Sequence, residues 1–164
     1  MKVLGTGTTA PKIELPLLGG SQFNLSQELM NGRVLLVFFK VSCPVCQYAL
    51  PFVNRLARRT AGKGLTVVGV SQDDAKSTEV FRRTYGLEFP IALDPVADYP
   101  ISNAYGLASV PTLFLVGEDG KIDRTIVSWS KPEIEEIDRF YRDSQNASSP
   151  LFGADENVVD FRAG

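Results

Sequence analysis

The sequence predicts an α/β domain with a central mixed β-sheet flanked by helices, and three observations carry that expectation. Val34-Leu35-Leu36-Val37-Phe38-Phe39 is an apolar run bounded by Gly32-Arg33 and by Lys40, which reads as a strand buried on both faces. Leu65 to Val70 is a second such run, followed by a helical pattern and another short strand in a βαβ rhythm. Thr112 to Val116 and Lys121 to Val127, joined by Gly117-Glu118-Asp119-Gly120, read as an antiparallel hairpin and make the sheet mixed.

Taken in order, Pro11 to Leu18 alternates weakly, stops at Gly19-Gly20, and is answered by Gln22-Phe23-Asn24-Leu25, giving an N-terminal hairpin. Ser26 fits the N-cap of a single turn over Gln27 to Met30, which Asn31-Gly32 breaks. After the central strand a helix opens at Pro44, with Val45, Ala49, Phe52, Val53 and Leu56 at helical spacing. Arg55, Arg58 and Arg59 gather near its C-terminal end, where cations suit the dipole, and Pro51 should interrupt and kink it. The second buried strand ends at Ser71-Gln72-Asp73-Asp74, and a helix from Thr78 to Tyr85 is closed by Gly86. Phe89 to Pro95 reads as a short strand with a turn, and Pro100 to Tyr105 as a short helix closed by Gly106. The last helix takes Ser130 as its cap, Pro132 in its first turn and Glu133 at N3, with Ile134, Ile137, Phe140 and Tyr141 as its apolar stripe.

Ser144 to Pro150 is a linker by composition, and Leu151 to Gly164 has no clear period. Its apolar residues Leu151, Phe152, Val158, Val159 and Phe161 leave two readings open, a tail docked on the body and a frayed terminus. The folded body is accordingly assigned to residues 1–143, and the linker with its tail to residues 144–164.

A chain of 164 residues with 44% hydrophobic and 22% charged residues suits one globular domain with a sizeable core. A net charge of −2 gives no reason to expect nucleic acid or an anionic membrane surface as a partner, and a monomer is expected. No apolar run approaches the roughly 20 residues of a membrane span. The start, Met1-Lys2-Val3-Leu4-Gly5-Thr6-Gly7, shows no signal-peptide core or cleavage site. A cytoplasmic location is therefore expected, with a bacterial periplasmic or other extracytoplasmic one as the alternative if a signal has been removed.

Both cysteines of the chain lie in Cys43-Pro44-Val45-Cys46, in the first turn of the helix that follows the central strand. The unsatisfied N–H groups and positive dipole end of a helix stabilise a thiolate over a thiol. Cys43, at the N-cap, is the candidate nucleophile, and Cys46, one turn in, the candidate resolving thiol. Pro44 suits N1, where its missing N–H costs nothing. Two inert buried cysteines or half of a zinc site are the competing readings, but there is no histidine and no third cysteine to complete a metal site. Lys40, three residues before Cys43, is either a solvated strand-end lysine or a cation that lowers the Cys43 pKa.

With these residues in view, the chain resembles the thioredoxin superfamily, and within it the TlpA/ResA-like and AhpC/TSA-type redoxin branch, over about residues 8–143. Cys43-Pro44-Val45-Cys46 matches C-x-x-C after the central strand, with Pro51 where this branch often has a helix proline. Val110-Pro111-Thr112 and the apolar strand after it match the family's cis-proline loop. Val68 to Asp74 and Phe89 to Asp94 resemble the βα insertion that this branch places between the cysteine helix and that loop. The resemblance implies a thioredoxin-like fold and a substrate-binding role for Pro44, Val110 and Pro111, with Val110 offering its backbone to an extended substrate segment. It also implies a cis Val110–Pro111 bond, and a redox-active Cys43–Cys46 disulfide in place of any other cofactor.

Three departures limit what carries over. The residue before the first cysteine, often aromatic in the family, is Ser42, and the position of the buried acid six residues before it is Val37. Near Val127-Ser128-Trp129 the family often has a glycine in the substrate groove and this chain has none, so a narrower or differently shaped groove is expected. By family analogy Glu88, Asp94 and Asp98 are the candidates to take the proton of Cys46 in place of the missing acid.

The expected function is a thiol–disulfide oxidoreductase acting on protein disulfides and dithiols, together with a redox partner protein. One alternative is a thiol peroxidase of the peroxiredoxin type, which would place a threonine or serine where Lys40 stands and a proline where Leu36 stands. The other is a non-catalytic binding or metal-delivery module on the same fold, although copper carriers of this fold use a wider cysteine spacing and a histidine.

Overall fold

The computed structural model describes residues 2–144 and 149–164, so most of the stretch assigned as linker lies outside the described residues. Strands β1 (Glu14–Pro16) and β2 (Gln22–Asn24) form the N-terminal antiparallel hairpin. Helix α1 (Leu25–Glu28) is capped by Asn24 and not by Ser26 as expected. Asn24 ends β2 in an extended conformation, which places its Oδ1 to accept from Gln27 N–H at 3.1 Å.

A 3₁₀ turn over Leu29–Asn31 leads to Gly32 and then β3 (Arg33–Phe39). Gly32 has φ +136°, and a Cβ there would lie 2.8 Å from the Gly64 carbonyl carbon. Only glycine lets the two chains approach this closely. That approach sets β3 beside β4 (Leu65–Ser71) in a parallel register, Arg33 opposite Leu65 and Phe39 opposite Ser71.

Helix α2 (Pro44–Thr60) lies between them and runs through Pro51 as one helix, not interrupted there as expected. The loss of one backbone bond at Pro51 is outweighed by burial of Leu50, Val53 and Leu56 on its inner face. Next come α3 (Ala75–Tyr85), β5 (Ile91–Leu93) and α4 (Pro100–Ala104). Helix α3 starts three residues before the expected Thr78 because Asp74 caps it, accepting from Ser77 N–H at 2.7 Å.

Strands β6 (Thr112–Val116) and β7 (Ile122–Val127) form the expected hairpin, and β8 (Trp129–Ser130) continues into α5 (Lys131–Ser144). The five-stranded sheet has the order β5-β4-β3-β6-β7, parallel across its first three strands and antiparallel across the last three. With β3 at its centre, alternate residues face opposite layers. Leu35, Val37 and Phe39 join the layer of α2, α3 and α5, while Val34, Leu36 and Phe38 join that of the hairpin and Tyr105.

On α5, Ile134, Ile137 and Tyr141 are buried, but Phe140 is 59% exposed. It precedes Tyr141 by one residue, about 100° round the helix, and so leaves the stripe assigned to it. Its ring carries the Arg33 guanidinium instead, 4.6 Å from the centroid.

The tail is docked. Leu151 and Phe152 are buried, and β9 (Phe161–Arg162) pairs antiparallel with β8. The arginines near the end of α2 do more than suit its dipole. Arg55 grips Glu156 with bonds of 2.8 and 3.1 Å, and Arg59 joins Asp138 on α5 to the carbonyl oxygens of Ser149 and Pro150.

Candidate active site

Because β3 and β4 are parallel, the chain leaves both at the same end of the sheet, and the cysteines start there. Cys43 is the N-cap of α2, in an extended conformation, with Pro44 at the first helical position. Its Sγ accepts from Cys46 N–H at 3.1 Å, and its own N–H donates to the Lys40 carbonyl at 3.2 Å. Both thiols are free, Cys43 partly exposed and Cys46 wholly buried.

Val110 and Pro111 reach the same place from the start of β6. The bond between them is cis, and the Cys43 Sγ lies 3.5 Å from the Val110 carbonyl oxygen. Thr112 Oγ donates to the Ser109 carbonyl at 2.8 Å, and Ser128 N–H donates to the Pro111 carbonyl at 2.8 Å, so the loop is held from both sides.

Burial, first of all, pushes the Cys46 thiol up, far above the ordinary value for a thiol. Its hydrogen bond to Cys43 and the charges of Cys43 and Asp73 add to this, while the backbone at Lys40 acts in the other direction. Lys40 itself extends its ammonium over the Tyr99 ring, 5.3 Å from the centroid. It meets the cysteine loop through its backbone.

None of the acids expected to serve Cys46 has the environment for it. Glu88 pairs with Arg58 at the surface, Asp98 is exposed, and the Asp94 carboxylate is committed to α4, accepting from Ile101 N–H, Ser102 N–H and the Ser102 hydroxyl. The acid whose charge bears on Cys46 is Asp73, which also accepts from Val41 N–H at 2.8 Å and so braces the loop that carries Cys43. Register held the signal for it. Phe39 and Ser71 are partners across the parallel pair, so an acid two residues past Ser71 must lie beside a cysteine loop that starts at Lys40.

In Val127-Ser128-Trp129, the stretch that holds no glycine, Ser128 is a non-glycine residue at φ +74°. It holds a left-handed backbone conformation that favours glycine, and its hydroxyl oxygen accepts from Gly164 N–H at 3.1 Å. The tail reaches this stretch as well, with Gly164 beside Ser128 and against the Val110–Pro111 loop.

A sequence model of the AhpC/TSA family matches residues 6–125. The thiol-disulfide oxidoreductase ResA of Geobacillus thermodenitrificans is 30% identical over 135 residues, 81% of this chain and 76% of that protein. A thioredoxin family thiol:disulfide interchange protein from Chlorobium tepidum TLS superposes with a TM-score of 0.69 at 22% identity, covering 86% of this chain and 99% of that one. Peroxidoxin BcpB from Mycobacterium tuberculosis gives 0.71 at 23% identity, over 86% and 97% respectively. At these identities the two solved structures speak for the thioredoxin-like fold alone.

Proposed function

Since the chain belongs to the AhpC/TSA family, we propose that it is a thiol–disulfide oxidoreductase in which Cys43 attacks and Cys46 resolves. The observation that carries this assignment is the Cys43 sulfur, held by an N–H of its own helix and facing the carbonyl of Val110 beside cis-Pro111.

The Cys43 thiolate attacks one sulfur of a substrate disulfide, the other sulfur leaves as a thiolate, and a mixed disulfide results. Cys46 then gives up its proton and attacks the Cys43 sulfur. The second substrate thiolate departs, and a Cys43–Cys46 disulfide remains, two electrons having passed to the substrate. A dithiol partner protein restores the pair by the same steps in reverse, so the redox-active disulfide is the only electron carrier the cycle needs.

Val110 and Pro111 present a backbone edge to an extended substrate, and Pro44 shapes the approach to Cys43. Two positions favour disulfide exchange over peroxide reduction. Leu36, where a peroxidase would have proline, is buried in the middle of β3, and Lys40, where it would have threonine or serine, turns its ammonium to Tyr99.

Mass spectrometry tests the cycle. The oxidised protein should be lighter by two hydrogens, thioredoxin or a dithiol should reverse the loss, and Cys46→Ser should trap a mixed disulfide on Cys43. A pair that never oxidises across the physiological range of potentials would refute the assignment.

A further inference from the structure

Strand β8 follows Ser128, whose N–H donates to the Pro111 carbonyl, and its free edge is occupied by the chain's own residues 158–164. Trp129 faces Arg162 and Ser130 faces Phe161 in antiparallel register, with Lys131 N–H donating to the Asp160 carbonyl at 2.8 Å. Beyond this pair the segment continues toward the cysteines. Gly164 N–H donates to Ser128 Oγ, and the residue is packed so tightly on the proline loop that a Cβ would overlap the Val110 carbonyl oxygen and stand 3.2 Å from Pro111 Cδ. Side chains fix it from the other flank. Trp129 Nε1 donates to the Val159 carbonyl at 2.7 Å, Val159 N–H donates to the Tyr48 hydroxyl at 3.1 Å, and the Arg162 guanidinium lies over the Tyr48 ring.

An extended backbone added to a sheet edge beside a reactive group is how proteins hold a peptide. Here the added segment lays Gly164 against the carbonyl that Cys43 also faces. We infer that residues 158–164 are an intramolecular stand-in for the substrate segment, and that a peptide bearing the disulfide must displace them to reach Cys43. This rests on the exchange reaction proposed above. The partner it implies is an extended polypeptide that adds to β8 by main-chain hydrogen bonds, while a small disulfide reaches Cys43 without the strand position.

The single tryptophan makes the test direct, because Trp129 reports the tail whether or not the protein turns over. Gly164→Val should force the tail off Val110, and Arg162→Pro should disrupt the β8–β9 pair. Each variant should shift the Trp129 emission and speed alkylation of Cys43 by a bulky maleimide. Each should also lower the KM for insulin, by about 10-fold if the tail is docked nine-tenths of the time, with reduction of oxidised glutathione unchanged. A synthetic peptide of residues 157–164 added in trans should slow insulin reduction again.

If the emission shifts while maleimide and insulin rates stay at the wild-type values, the tail does not guard the site and the inference is overturned. An emission unmoved by both variants overturns it as well, since the tail is then not held at Trp129. A protein that reduces neither insulin nor glutathione refutes the exchange reading, and the maleimide contrast, which needs only a thiol, then decides the covering role by itself.

Discussion

The backbone N–H of Cys46 donates to the Cys43 sulfur at 3.1 Å, while the Cys46 thiol is itself fully buried one turn into the same helix. One sulfur is therefore presented and stabilised, the other withheld. Limiting iodoacetamide followed by peptide mapping should label Cys43 first, and the label should move to Cys46 only after denaturation. Preferential labelling of Cys46 in the native protein would reverse the two roles.

Resolution of the mixed disulfide needs the Cys46 thiolate, which burial disfavours most and the Asp73 charge disfavours further. The single-turnover rate should therefore rise with pH through the neutral and mildly alkaline range. Asp73→Asn removes a negative charge that opposes the thiolate, so its rising limb should move to lower pH. The measurement is stopped-flow reduction of a model disulfide between about pH 6 and 9.5, across the ordinary thiol pKa. An unshifted limb in Asp73→Asn would leave Asp73 with only its bracing of Val41.

How much of this site could be read in the sequence depended on which contacts are local. Cys43, Pro44 and Cys46 follow from a buried strand running into a helix start, and the Val110-Pro111-Thr112 loop from its match to a known motif. The strands of the mixed sheet and both hairpins were legible for the same reason, since turn residues and apolar periods mark them directly. Ser128 and Asp73 were missed, because each acts through a neighbour far away in sequence and Asp73 shows itself only once the register of the parallel pair is known. A positive φ on a serine has no local signature, and the Asp73 charge that bears on Cys46 comes from the loop after a different strand. Tail docking was undecidable for the same reason. The arginines of α2 that hold it could equally have been solvated dipole partners.

Arg59 is one of those anchors, and its partner Asp138 is nearly fully buried, with Arg142 the next cation at 3.9 Å. Removing the guanidinium leaves a buried carboxylate poorly paired, which typically costs about 3–5 kcal/mol. Arg59 is itself partly exposed, so solvent reduces the penalty, and Arg59→Ala should cost about 2 kcal/mol in urea denaturation. Arg59→Ala paired with Asp138→Asn should recover part of that loss. A double variant less stable than Arg59→Ala alone would contradict the buried-charge explanation.

Glu156 is held below its ordinary carboxylate value of 4.5, chiefly by its hydrogen bonds to Arg55 and then by the Gly153 N–H. A depressed carboxylate contributes its stabilisation above 4.5 and loses it as pH falls through the lowered value. Acid should therefore loosen the tail before it unfolds the body. A titration of Trp129 emission from neutral to acid should show an early step, which Glu156→Gln removes. A single step shared with loss of the far-ultraviolet circular dichroism would show that tail and body respond to acid as one unit.

Ser128 sets two effects against each other. Its φ of +74° is unfavourable for any residue with a Cβ, by about 1–2 kcal/mol, whereas glycine adopts it freely. Its hydroxyl oxygen accepts from Gly164 N–H, a bond worth about 1 kcal/mol when made. Ser128→Ala keeps the strained backbone and loses the bond, so it should be destabilising. Ser128→Gly loses the same bond but removes the strain, at the expense of a more flexible unfolded chain, so it should be close to neutral. The glycine variant should thus exceed the alanine variant in stability by about 1 kcal/mol, read as a difference in denaturation midpoint at equal slope. Both should weaken the tail contact equally, seen as the same change in Trp129 emission. An alanine variant as stable as the glycine one would mean that position 128 does not keep the left-handed conformation in solution, and that the tail is held against Val110 without it.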